Sequence, residues 1–242
     1  MPSSEAERRA GGRQLYELCG SDPARVFSPY CWRIRMALAL KGLAFESVPW
    51  RFTETERLAF ARHDRVPVLV DGDRVVVESW EIAQYLDRAY PQTRQLVRGE
   101  PATYAFLLAW ADSVLFARAS RLIVSDIPAL LDARDRAYFV ASREARYGMP
   151  LPLVTADRDA RLPEFRAQLQ PLRRVLRDQK FLGGEAPDFA DCAVFGGFMW
   201  ARVVSPLPLL APDDAVFAWR ERMLDQAGGM ARRIQAAEVT PP

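Results

Sequence analysis

Residues 65–86 read RVPVLVDGDRVVVESWEIAQYL, and no other stretch says as much about the architecture. Pro67 to Val70 and Arg74 to Val77 are short valine-rich runs parted by Asp71, Gly72 and Asp73. β-Branched residues suit a pleated strand, and an Asp-Gly pair supplies the positive φ of a tight turn, so the pattern predicts a β-hairpin. Ser79 then caps a helix running to about Tyr90, with Pro91 just beyond its end.

Upstream, Gln14 to Cys19 (QLYELC) alternates apolar and polar residues, the period of a strand. After a loop containing Gly20, Ser21, Asp22 and Pro23, the segment Ser28 to Lys41 predicts a helix. Ser28 is a natural N-cap, Pro29 fits the first turn and Gly42 fits the stop. Ala44 to Trp50 alternates again, and Pro49 confines it to an edge strand or a strand end. A short helix is expected over Glu54 to Ala61, which completes a βαβαββα order. From Glu100 onward strand signals fade and helical periodicity covers 102–120, 133–147, 162–178, 188–204 and 213–226. The change predicts an α/β domain over 13–91 and an all-helical domain over 100–237, joined by 91–101.

The 242 residues are 50% hydrophobic and 26% charged, which supports a sizeable core and rules out a disordered chain. Lys+Arg at 33 against Asp+Glu at 31 leaves a net charge of +2, without the basic excess of a nucleic-acid or anionic-membrane binder. His63 is the only histidine, so a multi-histidine metal site is excluded and no metal is expected. Cys19, Cys31 and Cys192 are too few and scattered for a disulfide framework, which fits a reducing compartment. The polar residues 1–12 lack the apolar run of a signal peptide, and no stretch approaches the roughly 20 apolar residues of a membrane span. A soluble, cytoplasmic protein is expected. The segment 132–177 holds ten arginines against six acids and reads as a solvated helix face.

Three short motifs could hold a ligand. Ser28-Pro29-Tyr30-Cys31 opens the first helix, where free N–H groups and positive partial charge favour a thiolate, and the Ser28 hydroxyl adds a donor. Arg65-Val66-Pro67 puts a proline at the start of a strand. In Glu78-Ser79 the acid can hold an ammonium group, while the hydroxyl and the first helical N–H groups can hold a carboxylate. Those are the two charged groups of an α-amino acid terminus. Each motif also has a plainer reading as a cap or a strand start.

In this order, inside βαβαββα, the motifs resemble the glutathione transferase superfamily. LYELC, SPYCWRIRMALALKGL, RVPVLVDG and ESWEIAQYL have family-like spacing from Leu15 to Tyr90. Asp188-Phe189-Ala190-Asp191, after Phe181-Leu182-Gly183-Gly184, resembles the capping box of the family's helical domain. SPYC is similar to the Cys-Pro-Tyr-Cys redox motif of glutaredoxins with serine for the first cysteine, which removes dithiol chemistry and keeps a donor. The resemblance implies a thioredoxin-like α/β domain followed by an all-α domain, and a glutathione-dependent transferase. It implies that Ser28 is catalytic and donates to the glutathione sulfur. Val66, before a cis-Pro67, would pair its main chain with the cysteinyl part; Glu78 and Ser79 would hold the γ-glutamyl end, and Arg65 would meet the glycyl carboxylate. A thiol of pKa near 8.5 is about 3% ionised at pH 7, and lowering that value by two units takes about 2.7 kcal/mol. A hydroxyl donor and a helix terminus together are of that order. Tyr30, Trp110 and Phe116 would line an apolar acceptor pocket. The implied partners are glutathione, a hydrophobic small molecule and a second copy in a homodimer.

The chain also departs from the family pattern. Tyr16 lies inside the first strand and reads as packing, not as a catalytic tyrosine. The loop from Cys19 to Ser28 is long, Ala61-Arg62-His63-Asp64 stands where Asn-Pro is common, and Trp80 is bulky. Phe27-Ser28-Pro29, Pro49-Trp50-Arg51-Phe52 and Ser142-Arg143-Glu144 look most like bacterial β-aryl-etherase-type transferases and their fungal relatives, which cleave aryl ethers of lignin-derived dimers. The three cysteines read as buried free thiols. His63 touches the glycyl end of glutathione or simply sits in a surface loop. The competing reading is a non-enzymatic ligand carrier or interaction scaffold, which would not need all three motifs intact.

Overall fold

A computed structural model describes residues 12–239, so the reading of the first eleven residues as leader-free lies outside it. Strand β1 (Arg13–Leu18) pairs in parallel with β2 (Glu46–Trp50) and antiparallel with β3 (Val68–Asp71), which pairs antiparallel with β4 (Arg74–Val77). The order β2-β1-β3-β4 leaves β2 at an edge, where the missing N–H of Pro49 breaks no central ladder. Asp71 faces Arg74 across a turn made by Gly72 and Asp73, with Gly72 at φ +59° as a tight turn requires. Helix α1 (Pro29–Leu40) connects β1 to β2, a 3-10 segment (Thr55–Ala61) precedes β3, and α2 (Ser79–Ala89) follows β4.

The remaining described chain is helical. It runs α3 (Pro101–Trp110), a π-helical stretch (Ala111–Phe116), α4 (Ala117–Ile123), a 3-10 stretch (Val124–Leu130) and α5 (Ala133–Tyr147). Then come α6 (Leu151–Val154), α7 (Arg158–Ala167), α8 (Gln170–Asp178), α9 (Phe189–Val204), α10 (Ala215–Leu224) and the short α11 (Gln226–Gly229). No helix among the described residues is long and apolar enough to cross a membrane.

Several elements differ from the periodicity. The short helix at 54–61 is 3-10, because one or two turns without a side-chain cap gain little from α geometry. The helix after β4 takes Glu78, not Ser79, as its N-cap, and Ser79 becomes its first helical residue. The pattern at 102–120 widens into a π stretch and continues to Leu130, because Leu122, Ile123, Val124 and Ile127 are all buried and sustain it. The segment 162–178 breaks at Gln168 and Leu169, since Pro171 lacks an N–H and its ring collides with the carbonyl four residues back. Pro150 and Pro152 start α6, where the first turn tolerates both.

The two halves meet along α1 and α9, which pack closely. Gly196 and Gly197 make this approach feasible. A Cβ on Gly196 would fall 2.2 Å from the Pro29 carbonyl oxygen, and one on Gly197 would fall 2.1 Å from the Phe116 ring. The first turn of α1 therefore sits in a slot on α9, with Phe116 held beside it.

Candidate functional site

The sheet topology gathers the three motifs. Tyr16 of β1 faces Val68 of β3, and Val68 faces Val77 of β4, so the end of β1, the start of β3 and the end of β4 lie together. The Cys19–Ser28 loop folds back onto that end: Cys19 bridges Val26, and the Phe27 N–H donates to the Leu18 carbonyl at 3.1 Å. Ser21 N–H donates to the Leu130 carbonyl at 2.8 Å and Arg25 to the Val203 carbonyl at 2.8 Å, so the long loop is docked on the helical half.

Ser28 is the N-cap of α1 and only 4% exposed. Its Oγ accepts the Cys31 N–H at 3.3 Å, and among the described residues its proton reaches only the Cys31 thiol, a weak acceptor that a thiolate would outcompete. Pro29 has no N–H, and the Tyr30 N–H has no partner among the described residues. A hydroxyl proton and one amide at the positive end of a helix dipole therefore point where an anion would sit. The Val66–Pro67 peptide is cis. Neither the N–H nor the C=O of Val66 has a hydrogen-bond partner among the described residues, so an extended peptide could bond both.

Glu78 adopts φ +65°, ψ 126°, a conformation rare for a residue with a side chain and one that clusters at binding sites. No side chain caps the first turn of α2, so Ser79, buried at its start, lies among open amides. The Glu78 carboxylate is largely exposed and stands 3.5 Å from His63 Nε2. Arg65 is 81% exposed and stands 3.4 Å from Asp64. Trp80 stacks on Tyr104 with centroids 5.9 Å apart and also meets Phe189, so its bulk fills the junction between the halves.

A cleft of about 810 Å3 opens between the halves. Ser28, Tyr30, Arg65 and Val66 line one wall, while Phe116, Tyr138, Phe139 and Tyr147 line the other. Pro67, Glu78 and Ser79 sit beside it at the sheet end and do not line it. Tyr30 and Phe116 meet edge to face at 6.1 Å, with the Arg33 guanidinium 4.9 Å from each ring. Burial raises the Tyr30 hydroxyl above the usual phenol range, aided by nearby Asp112.

Trp110 is half-buried against the core and does not line the cleft. Trp200, which sequence reasoning passed over, lines the cleft instead. The solvated-face reading of 132–177 also fails locally, because Arg143 and Arg146 line the cleft. The signal was present as Phe139, Arg143 and Tyr147 at i, i+4 and i+8, one stripe of α5, hidden by the surrounding charge. Cys19, Cys31 and Cys192 are all fully buried free thiols. Burial pushes the Cys31 thiol up to about 12 and Cys19 to about 11, so neither is a nucleophile near neutral pH. Tyr16 packs against Phe60, with ring centroids 5.3 Å apart.

Comparison with known proteins agrees with this geometry. The family model for the glutathione S-transferase C-terminal domain matches residues 83–207, and that for the N-terminal domain matches residues 24–94. The chain belongs to the glutathione S-transferase family. It is 25% identical over 170 residues to Glutathione S-transferase U8 of Arabidopsis thaliana, an alignment spanning 69% of this chain and 65% of that relative. It is 27% identical over 212 residues to a probable glutathione S-transferase, GSTU6, of Oryza sativa subsp. japonica, spanning 81% and 80% of the two chains. The fold matches a glutathione S-transferase of Ceriporiopsis subvermispora solved in complex with glutathione, at TM-score 0.75 and 21% identity over 95% of this chain and 99% of that one. It also matches glutathione transferase GSTFuA3 from Phanerochaete chrysosporium, at TM-score 0.71 and 23% identity over 96% and 99%. These neighbours share the thioredoxin-like sheet domain and the helical domain.

Proposed function

We propose that this protein is a serine-type glutathione transferase that uses Ser28 to hold the sulfur of glutathione as thiolate. The observation that carries this reading is the Ser28 hydroxyl, which stands at the open N-terminus of α1 and shares a cleft with the unpaired main chain of Val66. Val66 bonds the cysteinyl peptide unit, Glu78 the γ-glutamyl ammonium, and Ser79 with the first amides of α2 the γ-glutamyl carboxylate. Arg65 meets the glycyl carboxylate. Residues 13–91 form the glutathione-binding unit and 100–237 the acceptor-binding unit, and the protein works as a homodimer in the cytoplasm.

In the reaction the thiol proton leaves to solvent, Ser28 donates a hydrogen bond to the resulting thiolate, and sulfur forms a bond to an electrophilic carbon. The leaving group departs from that carbon with the bonding electron pair. For an aryl ether, the substrate class favoured by the likeness to β-etherases, it leaves as a phenolate. Catalysis rests on proximity and on thiolate stabilisation. The test is retention on immobilised glutathione followed by turnover of a panel of aryl ethers and halogenated aromatics by wild type and Ser28→Ala. Retention with a slowed Ser28→Ala supports the reading; no retention, or an unchanged rate, refutes it.

A further inference from the structure

The helical wall of the cleft holds three arginines without a carboxylate partner among the described residues. Elsewhere in the helical half, Arg158, Arg173 and Arg220 each meet a carboxylate at 2.6–2.7 Å. Among the described residues Arg121, Arg143 and Arg146 meet none, although all three line the cleft. The Arg143 guanidinium lies 4.7 Å from the Phe139 ring centroid and 5.5 Å from that of Phe52, and its one side-chain hydrogen bond goes to Ser142 Oγ at 3.0 Å. Arg121 lies 5.3 Å from the ring centroid of Tyr147, whose hydroxyl is 2.5 Å from Ser120 Oγ. The two carboxylates lining the cleft are already engaged: Asp112 with Arg33 at 2.5 Å and Asp64 with Arg65 at 3.4 Å.

An unpaired guanidinium in a half-buried position, as at Arg143, is costly unless an anion completes it, and planar donors over aromatic faces suit a flat acid. Burial, with Arg146 close by, lowers the acidity range of Arg143, the direction expected of a cation lacking a counter-charge. From this arrangement we infer that the acceptor side of the cleft is built for an aromatic anion, a small arenecarboxylic acid. Its ring packs between Phe116 and Tyr138, and its carboxylate meets Arg143 and Arg146. The inference rests on the cleft being the acceptor side of a glutathione transferase. The same guanidiniums could instead take a carboxylate of glutathione itself, so the test separates the two.

Titration calorimetry with 2-naphthoate and its uncharged methyl ester reads the preference directly, with and without saturating glutathione. With glutathione present, naphthoate is expected to bind about tenfold more tightly than the ester, the scale of one charge-assisted pair. Arg143→Gln with Arg146→Gln removes that preference and leaves ester binding and glutathione retention unchanged. Because Arg143 also packs on two rings, Arg146→Gln alone, at an exposed position, and Arg143→Lys with Arg146→Lys serve as folding-neutral versions. The glutamine is expected to lose part of the preference and the lysine pair to keep most of it. Equal binding of acid and ester by wild type overturns the inference. So does a double glutamine variant that loses glutathione rather than naphthoate, which would assign the arginines to the tripeptide. Failure of wild type on glutathione resin sinks the transferase reading separately, since naphthoate binding is measured without it as well.

Discussion

Helices α1 and α9 pack side by side, yet their N-termini are finished in opposite ways. At α9 every group is consumed. Asp191 accepts from the Leu182, Gly183 and Asp188 amides at 2.8, 2.9 and 3.0 Å and from the Trp219 indole at 2.7 Å. Asp188 accepts from the Ala190 amide at 2.8 Å and the Tyr104 hydroxyl at 2.7 Å, closing a capping box. At α1 the cap is a single 3.3 Å bond, the hydroxyl proton meets only the weakly accepting Cys31 thiol, and the Tyr30 amide has no partner among the described residues. A saturated terminus holds two halves together; an unsaturated one beside a cleft leaves donors open to a ligand. Asp191 is fully buried, and that burial pushes its carboxyl up against the pull of its donors.

The contrast breaks first at Asp191. Asp191→Ala orphans four donors in the core and is expected to cost about 3–5 kcal/mol, read as a lowered urea midpoint. A variant as stable as wild type would remove the structural half of the comparison. Ser28→Ala should do the reverse. The cap loss costs about 1 kcal/mol or less of stability, while kcat/KM falls about 10- to 100-fold, as for a hydrogen bond to a charged group. Its pH profile tells the same story. On the proposed role, the bound thiol is expected to ionise below the free-thiol range in wild type and to return toward about 8.5 in Ser28→Ala, moving the activity curve to higher pH.

Smaller effects sharpen the comparison at the contact between the helices. Gly197→Ala forces a methyl group into the Phe116 ring and should cost about 1–3 kcal/mol less the helix-propensity gain, with a disturbed cleft read by naphthoate affinity. The smallest effect concerns the thiols. With Cys31 at about 12 and Cys19 at about 11, both remain protonated at pH 8, so iodoacetamide should leave them unmodified until the protein is denatured.

Much of the fold was legible because short-range rules dominated it. The 67–77 hairpin, the helix starting after Ser28 and the box at Asp188 each carry their turn or cap chemistry in adjacent residues, and the structure places them there. The π stretch after Trp110 and the break at Gln168 were less visible, since burial and a proline two residues on outweighed a continuous periodic pattern. Ser28, Val66 and Glu78 were legible as motifs for the same local reason.

The neighbours of those motifs were not. Phe116 meets Tyr30 because Gly196 and Gly197 let α9 take the start of α1, a contact spanning more than 160 residues of chain. Arg143 leaves the solvated face of α5 because Phe139 turns that stripe inward, with Arg146 at the exposed rim of the cleft, and Trp110 misses the cleft because its face of α3 turns to the core. The sequence alone settled the hairpin turn, the caps at Ser28 and Asp188 and the order of elements along the sheet half, all governed by interactions within a few residues. Which charges and rings stand opposite Ser28 was left to tertiary packing, since a local pattern says which face is apolar but not which distant face will cover it.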